Sequence, residues 1–136
     1  MVGYSGTPLV KKLGIKTNHK VYLQNAPENY LMLLGELPEN VIFLDSPEKK
    51  ADFIHIFVKS IVEMEAALFE LKDKIVQNGT IWVSWYKKAS KIPTDVTEDI
   101  IRETALALEL VDVKVCAVDE KWSGLKLVIR LANRQP

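Results

Sequence analysis

The chain has 136 residues, 48% of them apolar and 26% charged, which is ordinary globular composition and excludes a disordered or fibrous protein. Its 18 basic and 18 acidic side chains cancel to zero net charge, which argues against a general nucleic-acid or membrane binder. The single cysteine excludes an internal disulfide and points to a reducing, cytoplasmic compartment. No apolar run approaches the roughly 18 residues of a membrane span, and the N-terminus has no signal-peptide apolar region.

At this length one domain is expected, residues 1–136 as a single α/β domain in which 1–19 form a basic N-terminal loop and a short helix packed on the rest. Gly3, Ser5, Gly6 and Pro8 open the chain as loop. A short helix over Pro8–Leu13 then stops at Gly14. Lys20–Asn25 reads as a strand that ends at Ala26-Pro27. Glu28–Leu37 is rich in helix formers, with Leu31, Leu34 and Leu37 on one face, and Pro38 stops it. Val41–Leu44 is a short apolar strand followed by a turn at Asp45-Ser46-Pro47.

Asp52–Val58 is apolar, β-branched or aromatic almost throughout, the pattern of a strand covered on both faces in a parallel sheet. Ser60 caps a long helix over Ile61–Gln77, whose apolar residues Ile61, Met64, Leu68, Leu71 and Ile75 define one face, and Asn78-Gly79 ends it. Thr80–Trp85 is the next strand, and Tyr86–Thr94 a long loop. Asp95 with Glu98 reads as a capping box for a helix over Val96–Leu110, with Glu98 and Arg102 paired on its outer face. Asp112–Val118 and Leu125–Leu131 are two strands with no helix between them, hence an antiparallel hairpin. Gly124 at its tip is expected to supply a positive φ.

This order predicts a three-layer Rossmann-like α/β sandwich of the methyltransferase variety, trimmed by about two helices, with a mostly parallel sheet and an antiparallel C-terminal hairpin. Only Asp45–Ala51 joins the second strand to the third, whereas a parallel crossover usually takes a dozen residues or more. Two readings stay open, a displaced edge strand or an extended return.

Known chemistries leave few marks on the chain. The turn after the first strand, Asn25-Ala26-Pro27-Glu28-Asn29-Tyr30, has no glycine, and Pro27 removes one N–H donor. Dinucleotide binding in the usual manner is not expected, S-adenosylmethionine binding is weakened for the same reason, and no cofactor is assigned. His19, His55 and Cys116 are too few and too scattered for a metal site. His55, alternating with Phe53 and Phe57, reads as a core histidine bonded to backbone or a neighbour. No nucleophile or proton-transfer pair stands out, so no catalytic residue is assigned.

The charge is nevertheless uneven. Residues 1–20 hold Lys11, Lys12, Lys16 and Lys20 without an acid, and Lys87, Lys88 and Lys91 form a second cluster. In an open α/β sheet ligands settle beyond the carboxyl ends of the strands. Asn25, Lys59, Ser84, Lys87, Lys88 and Ser90 are therefore the candidate ligand-binding residues, and a small anionic ligand at that rim is the first expectation. The alternative is a catalytically inert interaction module or homodimer, motivated by three tryptophans and by Trp122 at the hairpin tip. A degenerate S-adenosylmethionine-binding, methyltransferase-like protein ranks last because of the glycine-free turn.

Several segments taken together resemble a family of small bacterial proteins, the domain of unknown function numbered 3052. They are Gly3-Tyr4-Ser5-Gly6-Thr7-Pro8-Leu9, Lys11-Lys12-Leu13-Gly14-Ile15, Asn25-Ala26-Pro27, Trp82-Val83-Ser84-Trp85, Lys87-Lys88-Ala89-Ser90 and Asp95-Val96-Thr97-Glu98. The tail adds Val111–Asp119 and Trp122-Ser123-Gly124-Leu125-Lys126. Tyr86 stands where proline is expected in similar proteins, and Lys91 where glycine is usual. The resemblance implies a bacterial cytoplasmic protein and brings no activity, substrate or catalytic residue with it.

Overall fold

The computed structural model describes residues 7–47 and 50–135. The loop expected over 1–6, with Glu48 and Lys49, lies outside the described residues. Six strands form one mixed sheet with helices on both faces, in the order β2-β1-β3-β4-β6-β5. The elements are α1 (Leu9–Leu13), β1 (Lys20–Gln24), α2 (Tyr30–Leu34), β2 (Ile42–Leu44), β3 (Ala51–Phe57), α3 (Ile61–Leu71), β4 (Ile75–Tyr86), α4 (Glu98–Ala107), β5 (Leu110–Ala117) and β6 (Trp122–Ile129). Strands β2, β1, β3 and β4 run parallel, and β6 pairs antiparallel with both β4 and β5. The three-layer sandwich with its C-terminal hairpin is therefore the architecture.

The short link after β2 is explained by register. β2 is a three-residue edge strand beside β1, and Phe43 lies level with Val21, which lies level with Phe53. The chain descends only about three residue levels, roughly 10 Å, before β3 begins. Six residues reach up to about 20 Å, so no crossover helix is needed.

Each face of the sheet closes on its own helices. Behind it, Met64, Ala67, Leu68 and Leu71 of α3 and Ile101 and Ala105 of α4 pack on Ile54, Ile56, Ile81, Val83, Leu125 and Leu127. In front, Leu9, Val10 and Leu13 of α1 and Tyr30 and Leu34 of α2 cover Val21, Phe53, Phe57, Trp82 and Trp122. The Trp82 indole N–H donates to the Leu13 carbonyl at 2.8 Å, which fixes the end of α1 to the middle of the sheet, and Gly14 at φ +88° closes that helix.

Three helices differ from expectation. α2 is half the expected length, because Gly35 at φ +84° ends it before Pro38 does. It buries Tyr30 and Leu34 rather than a Leu31/Leu34/Leu37 face. α3 stops at Leu71, since Ile75 already pairs with Ala51 and opens a 12-residue strand. Asn78 and Gly79 lie inside that strand at its irregularity, where a Cβ on Gly79 would meet the Val76 and Asp52 carbonyl oxygens at 3.0 and 3.1 Å. An apolar position every third or fourth residue suits a buried strand end as well as a helix, which is why periodicity alone overran the boundary. α4 is capped by Thr97, whose hydroxyl accepts the Ile100 N–H. Asp95 instead accepts the Ile61 N–H at 2.9 Å and so serves the first turn of α3.

Candidate functional site

Parallel pairing brings the ends of β1, β3 and β4 to one edge, and a cleft of about 640 Å³ opens there. Its floor begins at Asn25, which leaves β1 in the left-handed conformation at φ +59°. Asn25 thereby makes the sharp exit that a glycine otherwise makes, at the modest strain an asparagine tolerates. Ala26, Pro27, Glu28 and Asn29 continue the wall, and Lys59 enters after β3. Opposite them, the rings of Tyr86 and Trp122 stack at 4.2 Å and 25°, with Phe57 edge-on to Trp122 at 5.0 Å. Asp119, Glu120 and Lys121 complete the lining from the β5–β6 turn. Asp119 shapes that turn by accepting the N–H groups of Lys121 and Trp122, each at 2.8 Å.

The candidate residues from the sequence divide. Asn25 and Lys59 line this cleft. Ser84 is fully buried and points into the core, so it is not available to a ligand at the rim. Lys87 extends the sheet by donating its backbone N–H to the Lys121 carbonyl. Lys88 lines a second hollow with Trp85, Ile92 and Thr97, and the Ser90 hydroxyl bonds the Lys87 carbonyl within the loop. The six residues therefore do not form one basic pocket. Glu28, Asp119 and Glu120, which sequence reasoning passed over as site residues, give the cleft mixed charge. Their signal was position, immediately after β1 and immediately before β6.

Trp122, at the hairpin tip, is 6% exposed and packs in the front core, while Trp82 and Trp85 are buried as well. Gly124 does not take the expected positive φ; it lies within β6, where a Cβ would meet the Trp82 ring at 3.0 Å. The tip is shaped by Asp119 instead.

Beneath the aromatic wall runs a polar chain. His55 Nδ1 lies 2.7 Å from the Tyr30 hydroxyl and His55 Nε2 2.7 Å from the Ser84 hydroxyl. His55 stacks on Phe57 at 4.3 Å, and Tyr30 meets Phe57 edge-on at 5.6 Å. Burial pulls His55 down to about 3, so the imidazole is neutral, and burial raises the Tyr30 hydroxyl. Two hydroxyls and a neutral ring satisfy one another, and no carboxylate orients them, so the group positions rather than reacts. His55 is thus the bonded core histidine that its alternation with Phe53 and Phe57 implies. Among the described residues, no group of three His, Cys, Asp or Glu side chains could hold a metal ion.

Solved structures share this topology. A SAM-dependent methyltransferase from Aquifex aeolicus superposes with a TM-score of 0.63 at 17% identity, over 89% of this chain and 88% of that one. The fold is that of the SAM-dependent methyltransferases. A Pyrococcus horikoshii protein follows at 0.61 and 12% identity, over 90% of this chain and 86% of its own. The magnesium protoporphyrin IX methyltransferase of Synechocystis, solved with SAH bound, gives 0.57 at 11% identity, over 89% and 78%. No protein-family model and no curated protein matches the sequence. These neighbours overturn the ranking that placed a methyltransferase-like reading last and an anionic ligand at a basic rim first. The glycine-free turn was the basis of that ranking; Asn25 at φ +59° makes the left-handed exit without a glycine, while Pro27 still lacks an N–H.

Proposed function

We propose that the protein is methyltransferase-like and binds S-adenosylmethionine in the cleft at the end of β1. The observation that carries this reading is the cleft's position in this fold, beyond the carboxyl ends of parallel strands, combined with its mixed charge. Its volume lies within the roughly 300–1,000 Å³ of small-molecule sites. The residues present fit the group. The Tyr86–Trp122 stack offers an aromatic face to a purine. Glu28, exposed on the wall, suits the cationic or hydroxyl-bearing part, and Lys59 and Lys121 suit a carboxylate. When bound, the sulfonium would supply an electrophilic methyl group for transfer to a nucleophile, S-adenosylhomocysteine leaving. Asn25 holds the exit from β1 open, and the aromatic wall excludes water from one side.

The resemblance to the family numbered 3052 belongs to the same reading. It is supported at Lys91, where glycine is usual in that family and where the backbone here is left-handed at φ +61°. Cys116, a free cysteine, supports the reducing cytoplasm as the compartment.

Calorimetric titration with S-adenosylmethionine and S-adenosylhomocysteine tests the proposal. Saturation at 100 times Kd is expected to add about 2.7 kcal/mol of stability, a Tm rise of several degrees. Glu28→Gln and Tyr86→Ala are each expected to weaken binding about tenfold. No heat and no Tm shift at millimolar ligand overturns it.

A further inference from the structure

A groove of about 570 Å³ runs between α3 and α4, on the opposite face of the sheet from α1 and α2. Ala66, Thr104 and Ala107 contribute small side chains to it, and Phe69 and Leu108 contribute large apolar ones. Phe69 leaves 69% of its surface in water, far from the burial that an aromatic ring of this size normally finds. Val62, Ala66 and Phe69 recur at spacings of four and three and so form one stripe along α3. All three are exposed. The inner stripe of the same helix, Met64, Ala67, Leu68 and Leu71, is buried against the sheet. α3 therefore has two apolar faces, and among the described residues only the inner one is covered. A surface helix ordinarily turns polar side chains to the outside.

The rim of the groove defines the kind of chain that fits it. Glu65 and Glu103 line it, one from each helix, and none of the described residues that line it is basic. Both acids are exposed, and neither is in an ion pair among the described residues. Arg102, next to Glu103 in sequence, is held by Glu98, Asp99 and Asp112. An apolar trough with an acidic rim is complementary to a chain that is apolar and cationic. It is not complementary to itself, because a two-fold contact sets the same patch on both copies and every charge here would face its like. An anionic lipid surface would be repelled for the same reason. Shape narrows the choice further. α3 and α4 touch along their length, and the trough between two packed helices takes a third by ridges into grooves. α3 has 11 residues, a length of about 16 Å that roughly three turns of a partner helix would cover.

We propose that the α3–α4 groove docks a cationic amphipathic helix of a partner protein, with its apolar residues on Val62, Ala66 and Phe69 and its Lys or Arg side chains toward Glu65 and Glu103. Phe69 is the anchor, since a large aromatic side chain carries a disproportionate share of the energy of such a contact. The two acids set orientation and the rate of encounter. The groove shares no lining residue with the cleft at the end of β1, so the partner and a ligand in the cleft can be held at once, and docking does not depend on what the cleft binds.

A phage-displayed library of peptides about four helical turns long, selected on the full chain and depleted on its Phe69→Ser variant, tests the proposal. The recovered peptides are expected to carry apolar residues at helical spacing with Lys or Arg among them. The tightest, synthesised free and followed by fluorescence anisotropy, is expected to lose at least about tenfold in affinity with Phe69→Ser. Glu65→Lys and Glu103→Lys are each expected to weaken it about tenfold at low salt and less at high salt. Glutamate in place of the peptide's cations is expected to abolish binding to the parent chain and to restore it to the Glu65→Lys, Glu103→Lys double variant. A merely sticky apolar face predicts neither result. All three side chains are exposed, so the variants are expected to melt close to the parent and to give the parent's result on titration with S-adenosylmethionine, which keeps failure here distinct from failure at the cleft. Recovery of no peptide that tells the parent from Phe69→Ser, or of peptides that are acidic or uncharged, overturns the proposal. So does a dimer, seen by light scattering, that Phe69→Ser dissolves, which assigns the groove to a second copy. Binding to anionic vesicles that is lost with Phe69→Ser overturns it as well.

Discussion

Behind the sheet, α3 and α4 meet it almost entirely through aliphatic side chains such as Leu68, Leu71, Ile81 and Ile101. In front, α1 and α2 meet it through Tyr30, Phe53, Phe57, Trp82 and Trp122, with the Tyr30–His55–Ser84 chain threaded among them. The rear layer gains its stability from non-directional burial, which tolerates adjustment. The front layer combines burial with directed bonds, and directed bonds fix positions. The cleft opens on the front side, with Tyr86 and Trp122 as its wall. The cleft is thus backed by the layer that has the less freedom to rearrange.

Substitutions on the two faces sharpen this contrast. Leu68→Ala in the rear core, where the side chain is fully buried, is expected to cost about 3 kcal/mol by chemical denaturation. That cost should be the same at pH 5 and pH 8. His55→Leu in front is expected to cost about 2 kcal/mol, because two buried hydroxyls lose their partner. Adding Tyr30→Phe and Ser84→Ala is expected to restore much of it. If the triple variant is no more stable than His55→Leu alone, the polar chain is not what orders the front layer.

The two faces also separate by pH. His55 at about 3 lies below the ordinary histidine value, so protonation favours the unfolded chain. Its contribution is fully present above pH 6.5 and is lost as pH falls toward 3, by about 1.4 kcal/mol per unit. Melting curves should show this slope in the parent protein and a flatter one in the triple variant. Trp82→Phe keeps an aromatic ring but removes the pyrrole half of a fully buried indole together with its bond to Leu13. It is expected to cost about 2 kcal/mol and to speed amide exchange in α1 while leaving α3 and α4 protected. The smallest effect is a gain. Lys91→Gly relieves a left-handed residue at φ +61° and is expected to add about 0.5 kcal/mol.

The sequence made the layer order legible because the strands and the hairpin carry strong local signals, above all the unbroken run Asp52–Val58 and the helix-free join before Trp122. It misplaced helix ends wherever a tertiary pairing competed with periodicity. Ile75 satisfies a helical face on paper and Ala51 in space. Asp95 looked like the cap of the helix that follows it, yet its partner, the Ile61 N–H, is 34 positions away. At the candidate site, Asn25 and Lys59 were legible from topology alone. Ser84 was not, since facing inward toward His55 depends on strand register, and Glu28, Asp119 and Glu120 gain meaning only once two distant turns meet at one edge.

The placement of β6 between β4 and β5 has a bearing on biosynthesis. β5 emerges from the ribosome first, but the strand it rests against is made after it, so neither hairpin arm can be seated until Trp122–Ile129 is available. Until then β4 presents a bare row of amides and carbonyls, the kind of edge that nascent chains cross-pair through. Completion of this sheet therefore waits for the synthesis of β6 rather than growing steadily along the message.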